Sequence, residues 1–109
     1  MSTSFEIAET IIRQLAGSFG KLSAMTGAKN FLHGHTTDGA VGGVSFKFPK
    51  PGKGRPNFCR ITLDADDTYT IEFGATRGYD YKVISKQSGM YADMLTEHFE
   101  TTTGLYLSL

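Results

Sequence analysis

Apolar side chains at Ile7, Ala8, Ile11, Ile12 and Leu15 recur at spacings of three and four, while Glu6, Glu9, Arg13 and Gln14 fill the rest of the helical wheel. This spacing predicts an amphipathic helix over residues 4–16 with one stripe to bury. Thr3 or Ser4 can cap its first turn, Glu6 suits the positive end of the helix dipole, and Gly17 supplies a permissive stop. From Phe19 to Ser85 the period changes to two. In the clearest run, Cys59, Ile61 and Leu63 share one face and Phe58, Arg60 and Thr62 the other, predicting a strand over Phe58 to Leu63. Asp64-Ala65-Asp66-Asp67 reads as a turn, after which Tyr69, Ile71 and Phe73 alternate with Thr70 and Glu72, completing an antiparallel hairpin. Val44, Phe46 and Phe48 upstream, and Tyr79, Tyr81 and Val83 downstream, repeat the alternation, with Gly78 at the turn before the last run. Two weaker runs, Lys21 to Met25 and Phe31 to His35, flank the segment 26–30, so five or six strands are expected.

Helical spacing returns near the C-terminus. Tyr91, Met94, Leu95, His98, Phe99 and Thr102 form one stripe opposite Asp93, Glu97 and Glu100, with Ser88 as the expected N-cap and Gly104 as the residue after the helix. The closing segment, Leu105 to Leu109, is too apolar for a free tail and is expected to pack on the domain. Turns between the strands are too short for crossover helices, so the sheet should be a mostly antiparallel meander. Each helix has a stripe to bury and the strands offer one apolar face. The expected fold is therefore α+β: a five- to six-stranded sheet with an N-terminal and a C-terminal helix on one face.

Composition narrows the function classes. The 109 residues suit a single domain spanning residues 1–109, large enough to bury a core without disulfides or structural metal. Eleven Lys and Arg cancel eleven Asp and Glu, which argues against a polybasic nucleic-acid binder. Cys59 is the only cysteine, excluding an intramolecular disulfide and a four-thiolate zinc site and favouring a reducing compartment. No apolar run approaches the roughly 20 residues that cross a bilayer, and no basic segment precedes the first apolar stretch, so a soluble, cytoplasmic protein is expected.

Several strings are familiar together: Met25-Thr26-Gly27-Ala28-Lys29-Asn30-Phe31, Arg60-Ile61-Thr62-Leu63, Tyr69 followed by Glu72-Phe73, Arg77-Gly78, and Thr103-Gly104-Leu105-Tyr106-Leu107-Ser108-Leu109. They resemble a family of small proteins encoded by bacteriophages, prophages and plasmids. The similarity spans nearly the whole chain and implies a mobile-element origin and a bacterial cytoplasm as workplace. It carries over no catalytic residue, and the Gly-rich stretch from Asp38 to Gly43 is longer here than in that pattern.

Candidate chemistry is sparse. His33 and His35 would project from one face of a strand near Asp38, a trio able to hold a divalent metal, but the simpler reading is exposed polar positions beside the Thr36-Thr37-Asp38-Gly39 turn. His98 reads as a core-margin histidine, with no nucleophile near it in sequence. Asp64, Asp66 and Asp67 lack the EF-hand continuation and are explained by turn chemistry. Cys59 reads as a buried, inert thiol, since Arg60 points to the opposite face. Neither a Walker A pattern nor GxGxxG is present, so no cofactor is expected.

The charge distribution is more informative. Lys47, Lys50, Lys53, Arg55 and Arg60 lie in the stretch from residue 39 to residue 63, which has no Asp or Glu, whereas eight of the eleven acids fall between Asp64 and Glu100. Pro49, Gly52, Gly54 and Pro56 are interleaved with these cations, predicting a protruding hairpin loop. Such a loop could dock on an acidic protein patch or follow a phosphate backbone, with Phe58 as a stacking side chain; it could also be merely a solvated turn. The expectation is a non-enzymatic binding protein of a phage or other mobile element that modulates a host macromolecule, a defence or replication component among the candidates. The alternative is a nucleic-acid-binding accessory protein using the basic loop of residues 47–60. The sequence leaves the oligomeric state open, a sheet edge being one route to a homo-oligomer.

Overall fold

The computed structural model describes residues 4–34, 40–48, 56–77, 80–105 and 107. The first helix, α1 (Ser4–Ala16), follows the predicted stripe: Ile7, Ala8, Ile11, Ile12 and Leu15 are buried. Glu9 and Arg13, one turn apart on the solvent side, form an ion pair at 2.9 Å. Gly17 ends the helix at φ 95°, where its N–H donates to the Arg13 carbonyl.

The next segment corrects the sequence reading. The run from Lys21 to Met25, expected as a strand, belongs to a second helix, α2 (Phe19–Thr26). Ser18 caps it by accepting the Lys21 N–H at 3.0 Å, and Gly27 closes it in the left-handed region. Only Leu22 and Thr26 are buried along it, so a helix of eight residues shows too little of its stripe to declare its period.

Five strands then follow: β1 (Lys29–Gly34), β2 (Ala40–Lys47), β3 (Phe58–Asp64), β4 (Tyr69–Arg77) and β5 (Asp80–Met90). They pair antiparallel in the order β1-β2-β3-β4-β5, the expected meander. The turn between β3 and β4 is built from aspartates as anticipated. The Asp67 N–H donates to the Asp64 carbonyl, Asp67 takes φ 66°, and the Asp66 carboxylate accepts from the Thr68 N–H and hydroxyl. Those two Thr68 hydrogen bonds hold the Asp66 carboxyl below its ordinary pKa.

The last helix, α3 (Leu95–Thr103), starts later than the sequence suggested. Ser88, the expected N-cap, lies within β5, and a 3-10 turn (Ala92–Met94) leads into the helix. Tyr91 and Met94, assigned to the buried stripe, are exposed, while Leu95, Phe99 and Thr103 are buried. Gly104 ends α3 with φ 76°, and Leu107 is buried, its N–H donating to the Glu100 carboxylate at 2.7 Å.

The three helices cover one face of the sheet, two on the N-terminal side rather than the single helix expected there. Val44, Phe46, Cys59, Ile61, Ile71 and Phe73 from β2 to β4 meet Ile11, Ile12, Leu22, Leu95 and Phe99 in one core. Phe99 is its aromatic hub, with ring centroids 6.2 Å from Phe46, 5.6 Å from Phe48 and 5.9 Å from Phe73. Among the described residues no element packs on the opposite face of β2 to β5, which carries Arg60, Glu72 and Lys86 beside the rings of Phe58 and Tyr81.

Candidate binding surface

Strand register turns the charge segregation of the sequence into a spatial one. Lys29 on β1 lies opposite Lys47 on β2, Lys47 opposite Phe58 on β3, Phe58 opposite Gly74 on β4, and Gly74 opposite Val83 on β5. This row marks one end of the sheet. Arg77 at the end of β4 and Lys82 on β5 lie at or beyond it, and Arg60 and Lys86 lie one step inside it, each opposite Glu72. Lys50, Lys53 and Arg55, in the connection between β2 and β3, lie outside the described residues. At the other end stand Asp64 and the turn with Asp66 and Asp67. Lys29, Lys47, Arg77 and Lys82 therefore stand towards the end of the sheet away from that acidic turn, with Asp80 opposite Arg77, while Arg60 and Lys86 lie nearer its middle, each opposite Glu72.

On the uncovered face, four side chains of this basic half form an ordered cluster. The Arg60 guanidinium lies 5.4 Å from the Phe58 ring centroid and 3.5 Å from a Glu72 carboxylate oxygen. The Tyr81 hydroxyl donates to the same carboxylate at 2.5 Å, and the Tyr81 ring meets Phe58 edge to face at 5.4 Å. Gly74 makes this possible, because a Cβ there would collide with the Tyr81 ring. Burial, followed by the hydrogen bond to Glu72 and its charge, pushes the Tyr81 phenol well above its ordinary pKa. Beside the cluster, Arg60, Thr62, Asp64, Thr70, Glu72, Lys86 and Ser88 line a shallow cleft of about 210 Å³. Its lining mixes both signs of charge.

The predicted site residues thus divide. Lys47 is exposed at the sheet end, as a binding residue must be. Arg60 projects to the face opposite Cys59, as the alternation required, but it is only partly exposed and already pairs with Glu72. The face of Phe58 that was to stack on a base is occupied by Arg60. His33 lies on β1 opposite Val44, while His35 and Asp38 fall outside the described residues. Among the described residues no three His, Cys, Asp or Glu side chains converge as metal ligands.

Cys59 is fully buried, and burial, then the Glu72 charge, raises its thiol pKa well above the ordinary value, which disfavours the reactive thiolate. His98 sits at the margin of the core with its ring 5.8 Å from Phe73 and its Nε2 buried without a hydrogen-bond partner; burial lowers its pKa.

Sequence reading missed the extent of β5. It runs for 11 residues where alternation ends at Val83, because the pairing with β4 shifts between Phe73 and Gly74 and leaves Ile84 as an extra residue. Nothing in the local pattern announces that shift. Among the described residues no helix is long and apolar enough to cross a membrane. No protein-family model matches the chain, and no curated protein or solved structure is significantly similar to it.

Proposed function

We propose that this chain is a small binding protein of a phage or other mobile element, acting without catalysis on a host macromolecule in the bacterial cytoplasm. Its recognition surface is the basic end of the sheet, where Lys47 is exposed, together with Lys50, Lys53 and Arg55, which follow Lys47 in the sequence. The observation that carries this reading is the register that sets Lys29, Lys47, Arg77 and Lys82 towards one end of the sheet and the aspartate turn at the other. A surface with an excess of one sign raises the encounter rate with a partner of opposite sign and orients it on approach.

An acidic protein patch suits this surface better than a nucleic-acid strand. Arg60 is paired with Glu72 and covers Phe58, so neither offers itself to a phosphate or a base. The assignment to a non-catalytic role draws support from Cys59 and His98, whose surroundings suit neither a nucleophile nor a general base exposed to substrate.

Affinity capture from a bacterial lysate, with and without nuclease, tests the proposal. One host complex retained after nuclease, and lost when Lys47, Lys50, Lys53 and Arg55 are changed together to Glu, is the expected result. Capture that disappears with nuclease replaces it with the nucleic-acid reading. Capture unaffected by the charge reversals overturns the assigned surface.

A further inference from the structure

A second cleft, of about 270 Å³, lies where the end of β5 meets α3, and its lining is Met90, Met94, Glu97, His98 and Thr101. Met94, Glu97, His98 and Thr101 succeed one another at spacings of three and four, so they share one face of α3 and of the turn that leads into it. Met90, the last residue of β5, is the contribution of the sheet. It stands opposite Tyr69, towards the end of the sheet that carries the aspartate turn and away from the basic end.

Packing accounts for only part of this lining. Methionine is an ordinary core filler, and Met90 at 3% exposed fits that role, but Met94 leaves 46% of its surface uncovered. Next to it in the cleft stands an imidazole with an unsatisfied atom, the buried His98 Nε2, which has no hydrogen-bond partner. Side chains four residues apart on a helix have Cβ atoms roughly 5–6 Å apart, which lets the Met94 thioether and the His98 imidazole meet around one ion.

We propose that Met90, Met94 and His98 form a site for a soft monovalent cation, Cu(I), held by two thioether sulfurs and one imidazole nitrogen. The donor set selects the metal. Thioethers are soft ligands that favour Cu(I), and imidazole suits copper as well. Magnesium and calcium require oxygen ligands, and zinc sites are built from thiolate, imidazole and carboxylate, so a pair of thioethers favours none of them. Three neutral ligands leave the single positive charge on the ion, and Glu97, exposed at the same cleft, offsets it. This inference uses the margin of α3 and not the basic end of the sheet, so it stands or falls separately from the proposed function.

The test is a titration of the full chain, labelled at its methionine methyl groups, with silver nitrate in chloride-free buffer, Ag(I) sharing the charge and softness of Cu(I). Cu(I) under anaerobic ascorbate repeats the end point. The four methionines of the chain give separate NMR signals. Saturation at one equivalent is expected to move the methyl signals of Met90 and Met94 and the ring signals of His98, and to leave Met1 and Met25 in place. Zn(II) and Mg(II) should move none of them. Met94→Leu and His98→Gln, which remove a donor and keep much of the side-chain volume, should each weaken Ag(I) binding at least about tenfold. Cys59→Ala, which removes the one thiol, should leave it unchanged, since Cys59 is buried elsewhere in the core. The methyl shifts of the unaltered chain carry the test by themselves should a variant fold poorly. No shift at Met90 and Met94 up to about 1 mM Ag(I), a shift at only one of them, or the same shifts with Zn(II) overturns the proposal. So does binding that survives both Met94→Leu and His98→Gln, or that disappears with Cys59→Ala while circular dichroism shows the fold intact.

Discussion

Glu72 joins the stability of the outer face to its charge, and Glu72→Gln separates the two. The wild-type carboxylate accepts the Tyr81 hydroxyl at 2.5 Å and lies 3.5 Å from the Arg60 guanidinium, with its own side chain 12% exposed and that of Arg60 33%. An amide oxygen can still accept from Tyr81. What is lost is the charge assistance of that bond, about half of the roughly 1.5–3 kcal/mol such bonds contribute. The Arg60 pairing, discounted for its contact with solvent, adds about 0.5 kcal/mol. The total is about 1–2 kcal/mol, or a fall in Tm of about 4–10 °C for a domain of this size. Removing the anion also lowers the Tyr81 phenol pKa towards its ordinary value, visible as an earlier absorbance rise on alkaline titration. Meanwhile Arg60 becomes an unpaired cation at the basic end, so affinity for an anionic host partner should rise as stability falls. Urea denaturation and a binding measurement on the same preparation read both signs. An unchanged unfolding midpoint, or stability and affinity falling together, would refute this account of the cluster.

Phe99→Ala should cost about 3–5 kcal/mol, because the ring is fully buried against Phe46, Phe48 and Phe73 and the space cannot collapse across a sheet; equilibrium denaturation measures it. Stability should fall as the pH is lowered through the ordinary histidine range. Burial depresses the folded-state pKa of His98, so the unfolded chain binds the proton first, and the loss begins at about pH 6.5 and saturates below the folded value. His98→Gln should flatten that part of the stability profile. Cys59 should resist alkylation by iodoacetamide in the native state and react in urea, at a rate set by opening of the core.

Legibility from sequence tracked how far each element depends on its neighbours. The stripe of α1 and the alternation of β3 were readable because one face of each is buried by the same core, so the period appears directly in the residues. In α2 the pattern was too short, although its punctuation was present: Ser18 before it and Gly27 after it are ordinary cap residues. β5 was cut short for the opposite reason. With no layer packed over it, selection for alternation is absent, and the extra residue at Ile84 inverts whatever phase remains. The start of α3 slipped because Tyr91 and Met94 fit a helical stripe while lying on the surface. For the candidate site, the sequence exposed the cation cluster and the direction of Arg60, but not the Glu72 that neutralises it, since that pairing is created by strand register between residues 12 apart.

The same register decides which cations can bind a partner. Arg60 and Lys47 are equivalent in the sequence, two positive residues near a basic hairpin, yet the first faces Glu72 across a strand pair while the second stands exposed at the sheet end opposite Lys29. An arginine already engaged must break its ion pair, and leave a largely buried carboxylate with the Tyr81 hydroxyl but without its cation, before it can contact an outside anion. Lys47 gives up only water. Arg60→Ala should therefore change affinity for the captured partner by less than about threefold while lowering stability, whereas Lys47→Glu should weaken binding about tenfold with little effect on the fold. Titration of the purified partner against both variants, with melting curves alongside, separates the roles. If Arg60→Ala abolishes binding and Lys47→Glu leaves it intact, recognition runs across the outer face of the sheet rather than at its basic end.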